Sequence, residues 1–478
     1  MIYKNNKAKD IKIAYVGGGS TNWAWTFMSD LALDDQLSGT MYLYDIDHEL
    51  AEKNAHIGNS LKDRDEAVGD WTYKASRSLE ETISDADFVV ISILPGSFDE
   101  MVSDVHYPEK YGIYQSVGDT SGPGGMIRTL RSIPMIKEIA LAVKAYAPDS
   151  WVINYTNPMS TLTGVLYEVF PEIKAFGCCH EVFGTQEMLA DIVGEALGIK
   201  DVPRQDIQVN VLGINHFTWF DYASYKGVDV FPIYDNYIDE HKEEGYGNPE
   251  EHWMNSSFDS KNLVKFDLFK KYGLIASAGD RHLVEFMPHD AYLTDEETVE
   301  NWGFGLTSVE WRKNDLKNRL GKVERLYSGE EQLEIKDSGE EGILLIKALC
   351  GLERVISNVN VPNYAGQIDN LPKSAVVETN ALFERDAIRP VFAGSIPDQV
   401  LNLITPHVDN HERIVKAALN PNIELVIEAF KHDPLINNTL SDDEIDDLVM
   451  TMIENTLTYL PVEWQEELKQ YKAKKITN

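Results

Sequence analysis

Cysteine is scarce in this chain: 478 residues contain three, Cys178, Cys179 and Cys350. Three thiols build no disulfide framework, and the adjacent Cys178 and Cys179 would pair only under strain. That usage fits a reducing cytoplasm. Long apolar runs are also missing, and no stretch of about 18 apolar residues is present to span a bilayer. The first ten residues, Met1 to Asp10, are polar and carry no signal-peptide core. Basic residues are outnumbered, 43 Lys and Arg against 78 Asp and Glu, for a formal charge of −35. A protein that neutralises a nucleic-acid backbone or an anionic membrane surface needs the opposite excess. Net charge still permits a local basic pocket for one small acidic substrate. Internal repeats and low-complexity linkers are absent too, so solenoids and tethered modules are set aside. A cytosolic enzyme is the class that survives.

The chain has 43% apolar and 25% charged residues, the balance of a globular protein with two or three domains. Up to about residue 200, apolar runs of strand length alternate with amphipathic segments, the signature of βαβ units around a parallel sheet. IKIAYVG from Ile11, MYLYD from Met41, WTYKAS from Trp71 and FVVISI from Phe88 read as strands. WVINYT from Trp151 and IKAFGCC from Ile173 follow. Helical spacing runs over Trp23–Leu33, Met126–Ala147 and Phe183–Leu197, with Pro134 expected to kink or interrupt the second. After Asp201 the texture changes to consecutive strands over Ile207–Phe231, with a turn near Lys226-Gly227, and then to mostly helical patterns. The reading is a nucleotide-binding α/β domain over 1–200 and a second domain over 201–478.

Gly17-Gly18-Gly19-Ser20 follows a buried strand and precedes a helix, where small residues let a phosphate approach backbone N–H groups. Asp45 ends the second strand, the position from which a carboxylate meets an adenosine ribose, favouring NAD over NADP. The usual third glycine is missing and Trp23 stands beyond the turn. A tight turn in some other α/β protein is the plainer alternative. Cys179 and His180 follow the sixth predicted strand, and His216 lies in GINHFTW on a strand pattern. A thiolate and an imidazole hold a divalent metal, which polarises a sugar or keto oxygen. As core residues they would need no such role. NYTNPMS places Asn157 at a strand end, beside a turn. GDTSGPGGMIR carries Asp119 in a glycine loop, either a lid or a connection. GDRHLVEF crowds Asp280, Arg281, His282 and Glu285 together, as a surface salt-bridge patch also would.

In this order along nearly the whole chain, IAYVGGGS, FVVISILPG, SVGDTSGPGG, NYTNPMS, GCCHEVFGTQ, GINHFTW, GDRHLVEF, NLPKSAVVETN and EAFKHDPL resemble the family 4 glycoside hydrolases. VGDTSGPGG, CCHEVFGTQ and GDRHLVEF bring it nearest the α-galacturonidase branch. The resemblance implies a Rossmann doubly wound domain followed by a lactate/malate-dehydrogenase-like α+β domain, working as a homodimer or homotetramer. It implies NAD on Gly17, Gly18, Gly19 and Ser20 with Asp45 on the ribose. It also implies Mn²⁺ on Cys179 and His216, with Asn157 and His180 on the sugar side. Asp119 matches a substrate-contacting position suggested as the leaving-group acid. The base position falls on Asp280, with His282 second.

The family is the NAD-dependent exception to two-carboxylate glycoside hydrolysis. NAD⁺ takes hydride from C3, and the metal-polarised ketone makes the C2 proton acidic. Elimination expels the C1 leaving group, water adds, and the hydride returns. The implied substrate is an α-galacturonide from pectin, with Arg128 and Arg281 expected to hold its carboxylate bidentately. The alternatives are another sugar specificity in the family, a 2-hydroxy-acid dehydrogenase on the same fold, or a non-catalytic NAD-binding regulator.

Overall fold

The computed structural model describes residues 1–247 and 260–477. Its strands, in chain order, begin with β1 (Ile2–Lys4), β2 (Lys7–Val16), β3 (Leu37–Tyr44) and β4 (Asp70–Ser76). β5 (Phe88–Ile91), β6 (Trp151–Asn154) and β7 (Lys174–Gly177) complete the first group. β8 (Ile207–Ile214), β9 (Phe217–Tyr225), β10 (Val228–Asp229) and β11 (Ile275–Ala276) form a second sheet, in which β9 pairs with the other three. β12 (Val355–Pro362), β13 (Val376–Glu384) and β14 (Ala387–Pro390) come last.

Six strands run parallel in the order β4-β3-β2-β5-β6-β7. The order reverses between β2 and β5, and beyond the carboxyl ends at such a switch point lies the ligand crevice of an open α/β sheet. β12, β13 and β14 extend the same sheet antiparallel from the β7 edge, and β1 pairs antiparallel with β2, giving ten strands among the described residues. The division at residue 200 therefore marks the end of the alternating pattern and not the end of the sheet.

The strands are apolar on both faces because helices cover both. In β5, Phe88 and Val90 enter one core while Val89 and Ile91 enter the other. That is why FVVI reads as a continuous apolar run with no period of two. The Gly122–Tyr146 helix buries Met126, Ile127, Leu130, Ile133, Ile136 and Ile139 in the second of these cores. It passes through Pro134 unbroken. The expected interruption is corrected: the local propensity cost of one proline is outweighed by two rows of buried aliphatic side chains on either side of it. SDDEIDDL behaves as its pattern requires, Ser441 capping the Asp442–Thr456 helix in a capping box with Glu444.

Candidate active site

The glycine turn sits at the switch point. Gly17 has φ +104°, and a Cβ there would lie 1.9 Å from the Ser92 carbonyl oxygen after β5. A Cβ on Gly18 would lie 2.6 Å from that of Leu43. The N–H groups of Gly17 and Gly18 donate to Tyr44 O at 2.8 and 2.9 Å, and Gly19 N–H donates to Asp45 Oδ2 at 2.9 Å. The glycines thus shape the crevice by keeping it open, while their own donors are used inside the turn. The donors suited to a pyrophosphate lie at the start of the Trp23–Leu33 helix, whose Asn22 cap makes no side-chain bond. Trp23 is stacked on Tyr155 at 6.1 Å and lies 5.9 Å from the His180 ring. His180 pairs with Glu340 at 3.1 Å and is half exposed, so it faces this side of the crevice.

Across the crevice, ligand atoms of Asp119, His216 and His282 lie within 4.8 Å of one another. Three separate elements deliver them. Asp119 is in the turn before the Gly122–Tyr146 helix, and His282 is in the short Asp280–Leu283 helix. His216 occupies the two-residue turn between β8 and β9, where Ile214 faces Phe217, and not a strand as its sequence pattern suggested. Its φ is +63°, a left-handed conformation that a bulky residue rarely adopts, and one that functional sites often hold. The His216 and His282 rings lie 3.8 Å apart between centroids. Thr120 Oγ1 donates to Asp119 Oδ1 at 2.8 Å and lies 3.0 Å from His216 Nδ1.

Electrostatics divide the roles. Burial, with the neighbouring His282, pushes His216 down to about 3, so it is a neutral imidazole at neutral pH. Burial alone would raise Asp119, but the Arg128 guanidinium, followed by His282 and His216, overrides it and holds the carboxyl well below its ordinary range. Asn157 Nδ2 approaches Asp119 Oδ2 at 3.5 Å, while Asn157 Oδ1 is buried without a partner. Arg128, 6% exposed, donates from Nε to Asn157 O at 3.3 Å.

Other expected residues are placed differently. Asp280 is fully buried, and its carboxylate accepts from Val264 N–H and Lys265 N–H, both at 3.2 Å. It closes the start of the Leu263–Tyr272 helix and stands outside the Asp119–His216–His282 group, which contains the second candidate for the base, His282. Arg281 donates from Nε to Gly305 O at 3.0 Å and from Nη2 to Ser116 O at 2.6 Å and to Thr307 Oγ1. These bonds tie two loops together, which leaves Arg128 the better placed guanidinium. Glu285 receives Val117 N–H and Gly118 N–H at 2.7 and 2.8 Å, so GDRHLVEF is a buried clamp on the Asp119 turn and not a surface patch. That same clamp makes the glycine loop a fixed connection. Cys179 lies outside the three-residue group. Burial raises its thiol well above the ordinary value, and Glu378 and Glu181 add to this. A coordinated cation reverses that preference and deprotonates a thiol outright.

Three contributors escaped the sequence reading. Thr120 was hidden inside a glycine loop. Glu181 reads as an acid complementing a helix dipole, yet it accepts Gly279 N–H at 2.7 Å and lies 3.8 Å from His282 Nε2. Burial would raise Glu181, but His282 and His216 push it down to about 2. Glu378 lies in NLPKSAVVETN, where its place inside a β-strand hid any part beyond the fold. The Asp119 carboxylate and the neutral His216 imidazole, with ligand atoms within 4.8 Å of one another, suit a divalent metal, and His282 Nδ1 beside them is buried without a partner.

Residues 12–195 match the Family 4 glycosyl hydrolase profile and residues 211–436 that family's C-terminal domain. An alpha-galacturonidase of Lachnoclostridium phytofermentans is 60% identical over 464 residues, 97% of this chain and 100% of that protein. An alpha-galacturonidase of Bacillus subtilis is 51% identical over 434 residues, 91% of this chain and 95% of its own. The crystal structure of Bacillus subtilis lplD superposes with a TM-score of 0.88 at 49% identity, covering 93% of this chain and 100% of that one. The fold is shared with a Thermotoga maritima 6-phospho-beta glucosidase solved with manganese, NAD⁺ and glucose-6-phosphate, with a TM-score of 0.73 at 20% identity and 94% and 99% of the two chains covered.

Proposed function

The chain belongs to family 4 of the glycosyl hydrolases, and on that premise we propose that it hydrolyses α-galacturonides derived from pectin. The carrying observation is the Asp119–His216–His282 group, which brings an ionised carboxylate and two imidazoles to one point across the crevice from the glycine turn. We assign NAD to that turn and the helix start behind it, with Asp45 on the ribose. Mn²⁺ is assigned to Cys179 and His216, with Asp119 beside His216. When bound, NAD supplies temporary hydride acceptance at the sugar C3, and Mn²⁺ supplies Lewis acidity toward the neighbouring oxygens.

The side chains do the rest. His282 takes the C2 proton on Nδ1, the ring nitrogen that is buried without a partner. Glu181, 3.8 Å from Nε2, stabilises the imidazolium so formed. Asn157 and Arg128 orient the sugar, with Asp119 accepting from its hydroxyls. Redox is internal to the cycle and the net reaction is hydrolysis. The protein contains no helix among its described residues long and apolar enough to cross a membrane. Its cysteines are free and buried, which supports a cytoplasmic setting. Ile356, Tyr364 and Phe392, 60–68% exposed on the β12–β14 flank, support a homodimer or homotetramer.

The test supplies NAD⁺, Mn²⁺ and a thiol reductant, and follows released sugar and NADH absorbance together. Uronic acid release without NADH accumulation is expected across α-galacturonides, galactosides, glucosides and their 6-phosphates only for the first. Stoichiometric NADH accumulation would make the protein a dehydrogenase.

A further inference from the structure

Behind the cluster, between the extended sheet and β8, lies a layer of buried polar side chains that the reaction does not use. Asn358 and Asn360 on β12 face Asn380 and Glu378 on β13 in register, all on one face of the sheet. Glu378 is 1% exposed, with no lysine or arginine bonded to it among the described residues. Its Oε1 accepts from Asn358 Nδ2 at 2.5 Å, and its Oε2 accepts from Asn215 Nδ2 at 3.2 Å. Burying a carboxylate among the amides of Asn215, Asn358 and Asn360, with no cation bonded to it, is costly.

The two amides lead to the two segments that matter. Asn358 Nδ2 also donates to the Cys179 carbonyl oxygen at 3.1 Å. Asn215 is the residue before His216 in the β8–β9 turn, and its backbone N–H is held by Ser160 Oγ at 3.1 Å. The Asn215 side chain also reaches the Cys179 thiol. Glu378 is thus the common acceptor of one amide that grips the Cys179 backbone and another that grips the His216 turn.

We propose that Glu378 is a positioning residue for the metal: through Asn358 and Asn215 it fixes Cys179 and His216 relative to each other. The inference rests on the assignment of those two residues as Mn²⁺ ligands. Neither segment is fixed by its own strand, since Cys179 follows the end of β7 and His216 sits in a left-handed turn. A carboxylate suits the junction because both of its oxygens accept. Glutamine offers one acceptor and one NH₂, which would oppose a donating asparagine. One asparagine must then flip, and an Asn358 flip withdraws the donor from Cys179 O.

The experiment titrates Mn²⁺ into the full-length protein with NAD bound and reads free Mn²⁺ by electron paramagnetic resonance. Losses of partners behind metal ligands are typically 10–100-fold in affinity. Glu378→Gln should weaken Mn²⁺ binding by about 10-fold or more and leave NAD affinity and melting temperature near wild type. Should Glu378→Gln fail to fold, Asn215→Ala, which removes the Glu378 link to the turn together with the Asn215 contact to the Cys179 thiol, carries the same expectation. His216→Ala is the reference and should abolish binding. Mn²⁺ affinity within twofold of wild type in a folded Glu378→Gln or Asn215→Ala protein, while His216→Ala loses it, overturns the positioning role. Undiminished binding by His216→Ala overturns the ligand assignment, and the proposal with it.

Discussion

Thr120 Oγ1 and His216 Nδ1 lie 3.0 Å apart, and the polarity of that bond follows from the rest of the Thr120 hydroxyl. Its one proton is donated to Asp119 Oδ1 at 2.8 Å. The hydroxyl therefore accepts from His216, which puts the imidazole proton on Nδ1 and leaves the Nε2 lone pair open. A neutral ring with a free Nε2 is what a divalent cation needs, and the partner on the other nitrogen fixes its orientation.

Replacing Thr120 with valine keeps the shape and removes the acceptor. Thr120→Val should weaken Mn²⁺ binding by about 10-fold, measured by the same titration, while Thr120→Ser stays close to wild type. Equal affinity in all three would mean that the tautomer is set elsewhere.

The parallel sheet was legible because both of its faces are buried, and runs such as FVVI announce this without any long-range information. The glycine turn and Asp45 were legible for the same reason: strand, turn and helix are neighbours in sequence. The cluster was harder to read, because Asp119, His216 and His282 come from three elements and no spacing links them. GINHFTW looked like one strand because apolar residues flank the turn on both sides, and nothing local signals a left-handed histidine. Asp280 and Arg281 carried the right chemistry in the right motif. Which of three adjacent polar side chains on the Asp280–Leu283 turn joins Asp119 and His216 is decided by packing, and in the fold it is His282. Glu378 needed the sheet register itself.

The exchange of roles between Asp280 and His282 is measurable. With substrate deuterated at C2, the wild type should wash the label out into water, and His282→Gln should slow this by about 100-fold, within the usual range for a general base. Asp280→Asn should keep exchange but lower stability by about 1–3 kcal/mol in urea unfolding, since it weakens a buried acceptor of two N–H groups. Lost exchange in a fully stable Asp280→Asn protein would return the base to Asp280.

Asp433, which accepts the Gly122 N–H beside the Asp119 turn, predicts a pH dependence of stability. It is 1% exposed, accepts Leu435 N–H at 3.0 Å, and burial pushes its carboxyl up to about 7. In the unfolded chain it titrates near about 4. Between those values the folded protein holds a proton that the unfolded chain has released, so stability falls as pH rises through this window. The melting temperature should drop by on the order of a few degrees from pH 5 to pH 8. Asp433→Asn should flatten that slope, and an unchanged slope would place its cause at other groups.

The last prediction separates the two arginines. Among the described residues, the one side-chain hydrogen bond of Arg128 runs from Nε to Asn157 O, and its guanidinium lies in the field of the Asp119 carboxylate. Arg281 instead spends Nε and Nη2 on Gly305, Ser116 and Thr307, tying together the loop that carries Asp119 and the segment after β11. A substrate carboxylate held by Arg128 should make the neutral galactoside a poor substrate, and Arg128→Ala should erase the preference. Loss of a buried charged partner costs about 2–5 kcal/mol, or about 30-fold or more in the ratio of kcat/KM for galacturonide over galactoside. Arg128→Lys should recover only part of that ratio, because an ammonium lacks the planar fork. Arg281→Ala should leave the ratio alone and lower the melting temperature, since it removes bonds to Gly305 O, Ser116 O and Thr307 Oγ1 that hold the fold. If Arg281→Ala shifts the ratio while Arg128→Ala does not, the carboxylate sits on the other side of Asp119.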